Sequence, residues 1–443
     1  MSFNIGLSGL YAANKSLDVT GNNIANVATT GFKSSRVEFA DQYAQSIRGT
    51  SGTSSVGSGV TTAAVSQQFT QGTLTTGTAN SLDLAINGNG FFMLSNNGES
   101  LYTRAGAFHT DKDGFVVNSA GQNLQGYNVD ANGNVVIGAL SDLKIDSSNL
   151  EPKSTASITN AANLNSAAVA PTITPFDATE TSSYNVKYST PIYDTQGNAH
   201  TLDQYFVKTG TNAWSMYSLV DGRSISDPVN SAVADEVKLT FDSSGALVTS
   251  GTGAPVGSAN VTVNADGTFQ VENWQPAAQV GTGTTATWAL NGADGTADGI
   301  KLDMLATTQT ASASGLITQS QDGYATGQIS AMNVDATGNL FATYTNGQSK
   351  VIGQISLTNF ANVQGLAPAG GTNWRETYAS GVPVSGVPES GTLGYLTGQA
   401  LEDSNVDLTG ELVNLIKAQS NYQANAKTIS TQSTIMQTTI QMT

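Results

Sequence analysis

The sequence predicts an α+β chain of nested domains, in which paired coiled-coil-like helices from the two ends enclose mainly antiparallel β domains. Three observations carry this. Near the start, Phe3, Leu7, Leu10, Leu17 and Ile24 fall at alternating intervals of four and three, with Asn14 and Gly21 keeping the register. Near the end, Leu408, Leu412, Leu415, Tyr422, Ile429, Met436 and Ile440 do the same, with Gln419, Ala426 and Ser433 between them. Such spacing holds one stripe on one side of a helix and makes a seam. Third, only 11% of the residues are charged, against roughly 25% in ordinary globular proteins, while Gly, Ser, Thr and Asn abound. That composition favours strands and turns.

The first helix is expected to run to about Ala28, with Gly31 as its C′ residue because glycine enters the left-handed region without a Cβ penalty. The last is expected from Ser404 to Thr443. Ser404 followed by Asp407 resembles a capping box, and Asp407 is itself a candidate cap. No Pro interrupts the stretch, which as a continuous helix is about 55 Å long. Either stripe alone fits an ordinary amphipathic helix docked on its own domain. Two stripes at opposite ends favour helices that pair and stack between subunits. Their polar faces have few Glu-to-Lys pairs, so disorder is expected in the monomer and order on assembly.

A length of 443 residues allows two to four domains. The formal charge of −16 argues against nucleic acid, which needs clustered Lys and Arg. Cysteine is absent, so there are no disulfides or thiolate metal sites. The N-terminus has no basic region ahead of an apolar run and does not read as a cleavable signal. No run of about 18 apolar residues predicts a membrane span.

After the first helix comes Asn22-Asn23-Ile24-Ala25-Asn26, leading through Thr30-Gly31-Phe32 to Lys33. This resembles the signature of the bacterial flagellar rod and hook protein family, with Asn22, Asn23, Ile24, Asn26, Gly31 and Phe32 as its matching residues. Arg36 to Ile47 reads as a short irregular or helical piece, and Gly49 to Gly59 as uncharged flexible linker. Ser81 to Leu94 has the alternation and the Gly-Asn-Gly turn of a hairpin. Together with Leu101 to His109 and Asp111 to Phe115 it extends the resemblance. Asp111-x-Asp113-Gly114 is a turn rather than a calcium loop, because no terminal Glu follows. Related Asp-to-Gly turns recur from Asp130, Asp194 and Asp335. From about Glu151 to Gly323 the family features fade, and short strands at Tyr184–Tyr188, Leu202–Val207, Val237–Phe241 and Val261–Val263 read as an inserted β domain. Strands resume at Gly327–Val334, Leu340–Tyr344 and Val351–Leu357. The expected division is a terminal helical assembly domain (1–34 and 400–443), a connecting segment (35–69), an inner β domain (70–150 and 324–399) and an inserted outer β domain (151–323).

No catalytic constellation is written here. His109 and His200 are the sole histidines and, without Cys, make no typical zinc site. Neither Gly-x-Ser-x-Gly nor His-Glu-x-x-His occurs. The Gly-rich Gly88-x-Gly90 lacks the Lys-Ser/Thr of a phosphate loop. Asp235-Glu236 and Glu402-Asp403 read as solvated pairs. No metal, cofactor or enzyme activity is expected.

The resemblance implies a structural subunit of the flagellar hook, a self-assembling flexible helical tube that passes torque from rod to filament. In that family the terminal helices form the inner tube and the β domains lie outside. The implied partners are further copies of the chain, the rod, hook cap and hook–filament junction proteins, and the flagellar export apparatus, with an extracellular location and no membrane insertion. A distal rod subunit shares the signature, but the large middle insertion favours hook; a hook–filament junction subunit also has paired terminal helices, but Asn87 to Phe92 and Tyr102 to Gly106 resemble hook and rod more closely. An enzymatic or carbohydrate-binding role for residues 151–323 is the alternative of a different class.

Overall fold

The computed structural model describes residues 2–42, 57–130, 133–281 and 286–442. It is mostly β, with one long helix at each end and several antiparallel sheets, in two compact units. The first unit comprises Met1–Ser147, Ile329–Thr343 and Ser349–Thr443, and the second Ser148–Gln328 and Tyr344–Gln348. No helix among the described residues is long and apolar enough to cross a membrane.

In the first unit, α1 spans Ser2–Ala25 and α2 spans Leu408–Gln441. α2 starts where Asp407, in extended backbone, accepts the Thr409 N–H at 3.0 Å, which satisfies a first-turn donor and fixes the boundary. Its many threonines do not need outside partners. The hydroxyls of Thr428, Thr431, Thr434, Thr438 and Thr439 each donate to the carbonyl four residues back, at 2.8–3.1 Å. α1 runs antiparallel against α2, with Gly6 facing Ile429 and Gly9 facing the Asn425 side chain. A Cβ on Gly9 would lie 2.7 Å from Asn425 Oδ1, so the missing side chain is what lets the helices approach.

Two local expectations fail near α1. The helix stops at Ala25, and Gly31 is not its C′ residue; its N–H donates to Glu402 O at 2.7 Å, away from the helix carbonyls. The segment from Arg36, read as irregular or helical, is a strand, Ser35–Asp41, paired antiparallel with Val60–Gln67. Val37 and Phe39 alternate with Arg36 and Glu38, the period of a strand. The Gly49–Gly59 linker falls largely outside the described residues.

The β part of this unit is a large sheet around Leu84, Ile86, Phe92, Leu94, Phe108 and Leu124. The hairpin expected from Ser81 to Leu94 does not form. Leu84–Asn87 pairs with Tyr395–Gly398, whereas Phe91–Asn96 pairs with Glu99–Thr103. Gly88 and Gly90, at φ 103° and 126°, carry the chain from one sheet to the other. The tight hairpin turn lies one strand later, at Asn97-Gly98 with φ 51° and 91°, as a type I′ turn requires.

In the second unit a four-stranded antiparallel meander, Val186–Tyr193 through Asp235–Thr240, shares its core with a mixed sheet built on Ser157–Asn165. Phe206, Trp214 and Met216 from one meet Ile158, Phe269 and Leu302 from the other. The Asp194 turn has Gly197 at φ 84° and accepts backbone N–H groups on its carboxylate, as hairpin chemistry demands. Its carboxylate also faces His200, whose ring contacts Asp221 at 2.7 Å and Asp194 at 3.3 Å. Burial opposes the imidazolium, but the hydrogen bonds and charges of Asp221 and Asp194 outweigh it and raise the pKa above the usual histidine value. A raised folded-state pKa adds stability at pH below the unfolded value, about 6.5, and loses it as pH climbs through the folded value. Calorimetry should therefore show the second unit's transition falling as pH rises above about 6.5, with His200→Gln flattening that slope. An unchanged slope in the variant would assign the pH dependence elsewhere.

Candidate assembly interface

Beyond α1 the signature residues build a root that ties both helices to the β structure. Asn23 is buried, and its amide exchanges two hydrogen bonds with Ser35, donating to the carbonyl at 2.8 Å and accepting the N–H at 2.9 Å. The helix end is thereby fastened to the first residue of the strand it feeds. Asn22 is exposed and accepts from the half-buried Asn26 amide, which in turn accepts the Thr29 hydroxyl. Ile24 and Phe32 are half-buried. Gly31 is buried at φ 70°, and a Cβ there would sit 2.5 Å from the Ala105 backbone nitrogen. Gly31→Ala should lower the first unit's stability by about 2 kcal/mol or more, from the left-handed backbone and the displaced Arg104–Ala105 backbone. Denaturant titration measures it, and a change under about 0.5 kcal/mol would contradict this geometry.

Lys33 then enters a buried ion cluster. Its ammonium donates to Glu402 Oε1 at 2.5 Å and to Thr70 O at 2.8 Å. Arg104 Nη1 donates to Glu402 Oε2 at 3.1 Å and Nη2 to Gly88 O at 2.7 Å, with the guanidinium 5.4 Å from the Phe91 ring centre. Gly72 N–H adds a further bond to Oε1 at 2.9 Å. Burial lowers the pKa of both cations, and the charge of Glu402 works against that shift. The reading of Glu402-Asp403 as a solvated pair is thus wrong for Glu402, which is fully buried, and right for Asp403, which is exposed. Glu402 ends a strand, Ala400–Glu402, so successive side chains point to opposite faces. Asn405 completes the root, accepting from Ser34 N–H at 2.7 Å and donating to Gln68 O at 2.7 Å.

The seam residues are placed unequally. Leu7, Leu10 and Leu17 on α1 and Leu415 and Ile429 on α2 are half-buried, while Phe3, Leu408, Leu412, Tyr422, Met436 and Ile440 are exposed. The side of α2 toward α1 carries Glu411, Ala418, Asn425 and Ile429, so the apolar stripe is rotated partly away from the partner helix. Every residue from Ser433 to Met442 is exposed. Among the residues sequence reasoning missed are Arg104 and Glu402 in the cluster and Asn405 beside it.

A chain from Escherichia coli named flagellar hook protein FlgE is 39% identical over 445 residues, covering 100% of both chains. This chain belongs to the flagellar hook protein family. Hook protein relatives include those of Salmonella typhimurium, 40% identical over 447 residues with 100% of both chains covered, and Borreliella burgdorferi, 35% identical over 456 residues with 99% of this chain and 98% of the relative covered. The family described as "Flagella basal body rod protein" matches residues 3–33, which hold α1 and the signature turn. "Flagellar hook protein FlgE/F/G D1 domain" matches 85–170, "Flagellar basal body protein FlaE D2 domain" 163–324, and "Flagellar basal body rod FlgEFG protein C-terminal" 397–442. The hook protein family is structural and not enzymatic, and this member is a structural hook subunit. In this member Asn23 fastens the end of α1 to Ser35, and Gly31 and Lys33 bond Glu402 in the strand that precedes α2.

Proposed function

We propose that the chain polymerises through its terminal helices, paired as a coiled-coil-like inner layer, into the flexible tube that passes torque from rod to filament. Residues 1–34 and 400–443 form that layer, 35–69 connect it to the inner β domain of 70–150 and 324–399, and 151–323 are the inserted outer domain. Rod, hook cap and hook–filament junction proteins are the heterologous partners, and the export apparatus delivers the chain to the cell exterior. The observation that carries this reading is the apolar surface α2 leaves uncovered in one chain. Leu412, Val413 and Ile416 near the start of α2 and Ile435, Met436 and Ile440 near its end are all exposed, apolar surface that an isolated soluble subunit does not favour. The ion cluster supports a mechanical role, since it fixes the helix pair to the β structure by charge as well as packing.

Electron microscopy of the purified chain after addition of salt tests the proposal. Short curved tubes are expected. Straight rigid tubes would favour a rod subunit, and monomers that persist at high concentration would overturn self-assembly.

A further inference from the structure

Asparagine is a thermolabile residue, and most so before glycine, whose backbone nitrogen has no neighbouring Cβ to keep it from the asparagine side-chain carbonyl. The sequence contains six such steps, beginning at Asn87, Asn89, Asn97, Asn132, Asn291 and Asn346. Asn132 lies outside the described residues. Four of the other five are held. Asn87 donates its amide to the Tyr395 hydroxyl at 2.6 Å, and Gly88 N–H donates to Gln71 Oε1 at 3.0 Å. Asn89 O accepts the Gly394 N–H at 2.8 Å, with Gly90 buried beside Leu393 and Leu357. Asn291 donates its amide to Asp194 Oδ2 at 2.8 Å and accepts the Ala293 N–H at 2.9 Å. Asn346 is tied in the same way to Ala325 O at 2.7 Å and Gln348 N–H at 3.0 Å, while Gly347 N–H donates to Tyr344 O at 3.0 Å. These contacts oppose the rotations that bring the glycine nitrogen onto the side-chain carbon.

Asn97 is different. It and Gly98 are exposed and lie beyond the last pair of their hairpin, Asn96 with Glu99. No hydrogen bond joins Gly98 N–H or Asn97 O to the rest of the described chain. The Asn97 amide has a single long contact, to the exposed Asn96 Oδ1 at 3.3 Å, and a Cβ on Gly98 would meet nothing within 4 Å. Hairpin tips of this kind open locally while the strands behind them stay paired. We propose that Asn97 is a site of self-modification, the Asn-Gly step among the five described that the folded chain leaves free to react. Gly98 N gives up its proton to solvent and bonds to Asn97 Cγ. The Cγ–Nδ2 bond breaks, and Nδ2 takes up one proton and leaves as ammonia. The succinimide ring so formed adds one water at either of its carbonyls, giving aspartate or isoaspartate at position 97. Water is the sole co-reactant. Each event adds one negative charge to a chain already at −16, and isoaspartate also lengthens the backbone of a turn whose length sets the strand register.

The test is incubation of the full-length chain at mildly alkaline pH in heavy-oxygen water, followed by digestion and mass spectrometry of the peptides that hold Asn87, Asn89, Asn97, Asn291 and Asn346. Label should enter at Asn97 at least about tenfold faster than at the other four, the factor imposed by one or two hydrogen bonds that must break first. Isoaspartate should be part of the product, since a ring opens at either carbonyl whereas direct hydrolysis of the side-chain amide gives aspartate alone. In concentrated urea, where the fold no longer holds any of the five, their rates should converge. Reaction at Asn97 no faster than at the held sites, a preference for Asn97 that persists unchanged in urea, or a product free of isoaspartate overturns the proposal.

Discussion

Glu402→Gln is expected to destabilise the first unit by about 3–5 kcal/mol, the cost of leaving buried cations without their counter-ion. Lys33 is fully buried and Arg104 nearly so. The glutamine amide keeps the shape and one acceptor, so the loss isolates charge from packing. Against a total stability of about 5–15 kcal/mol, such a loss brings the unit close to unfolding at growth temperature. The second unit has its own core and should melt as in the parent, which makes calorimetry of the whole chain the measurement. Replacing all three charges together, Lys33→Met, Arg104→Leu and Glu402→Leu, should recover most of the loss because no buried ion is left unpaired. A single-variant effect below about 1 kcal/mol would mean that water reaches the cluster and that the cluster does not anchor the helices.

What the sequence disclosed and what it hid divide by range. Asp407 as helix cap, the Asp-to-Gly turns and the two terminal helices all depend on residues within a few positions of one another, and local spacing writes them directly. The ion cluster joins Lys33 to Glu402 across 369 positions, and nothing near either residue announces the other. Glu402 looked solvated because it stands next to Asp403, yet strand alternation sends the two side chains opposite ways. The Gly88-Asn89-Gly90 turn misled for a related reason. Glycines at positive φ mark a change of direction but not the strand that follows as partner, and Leu84–Asn87 finds its partner at Tyr395–Gly398. Two further features are local in the sequence, the Asn97-Gly98 dipeptide and the alternation through Arg36–Phe39. In the candidate interface, the sequence pattern names residues and not their contacts. Asn23 closes on Ser35, and Gly31 reads as a helix stop but makes room for the Arg104–Ala105 backbone.

The largest effect on assembly is expected from Ile416→Asp and Ile440→Asp. These side chains are 62% and 70% exposed on α2, so a carboxylate there meets water in the monomer and should leave its melting temperature unchanged. In the polymer each substitution gives up an apolar contact of about 1.5–3 kcal/mol and places a charge in a dry interface at several kcal/mol more. At about 1.4 kcal/mol per tenfold, the critical concentration should rise by roughly a thousandfold or more. Every added subunit meets the same penalty, so sedimentation of salt-driven samples should find no tubes. Ile429→Asp is expected to differ, because Ile429 packs on Gly6 within the chain. If the helix pair is ordered in the monomer, that variant loses melting temperature as well as assembly; if the helices order only on assembly, it loses assembly alone. Gln432→Asp, one turn along on a polar side chain, should polymerise near the parental concentration. Assembly of Ile416→Asp and Ile440→Asp at that same concentration would show that the exposed stripe of α2 faces solvent in the tube, and the interface would have to be sought on its threonine-rich side.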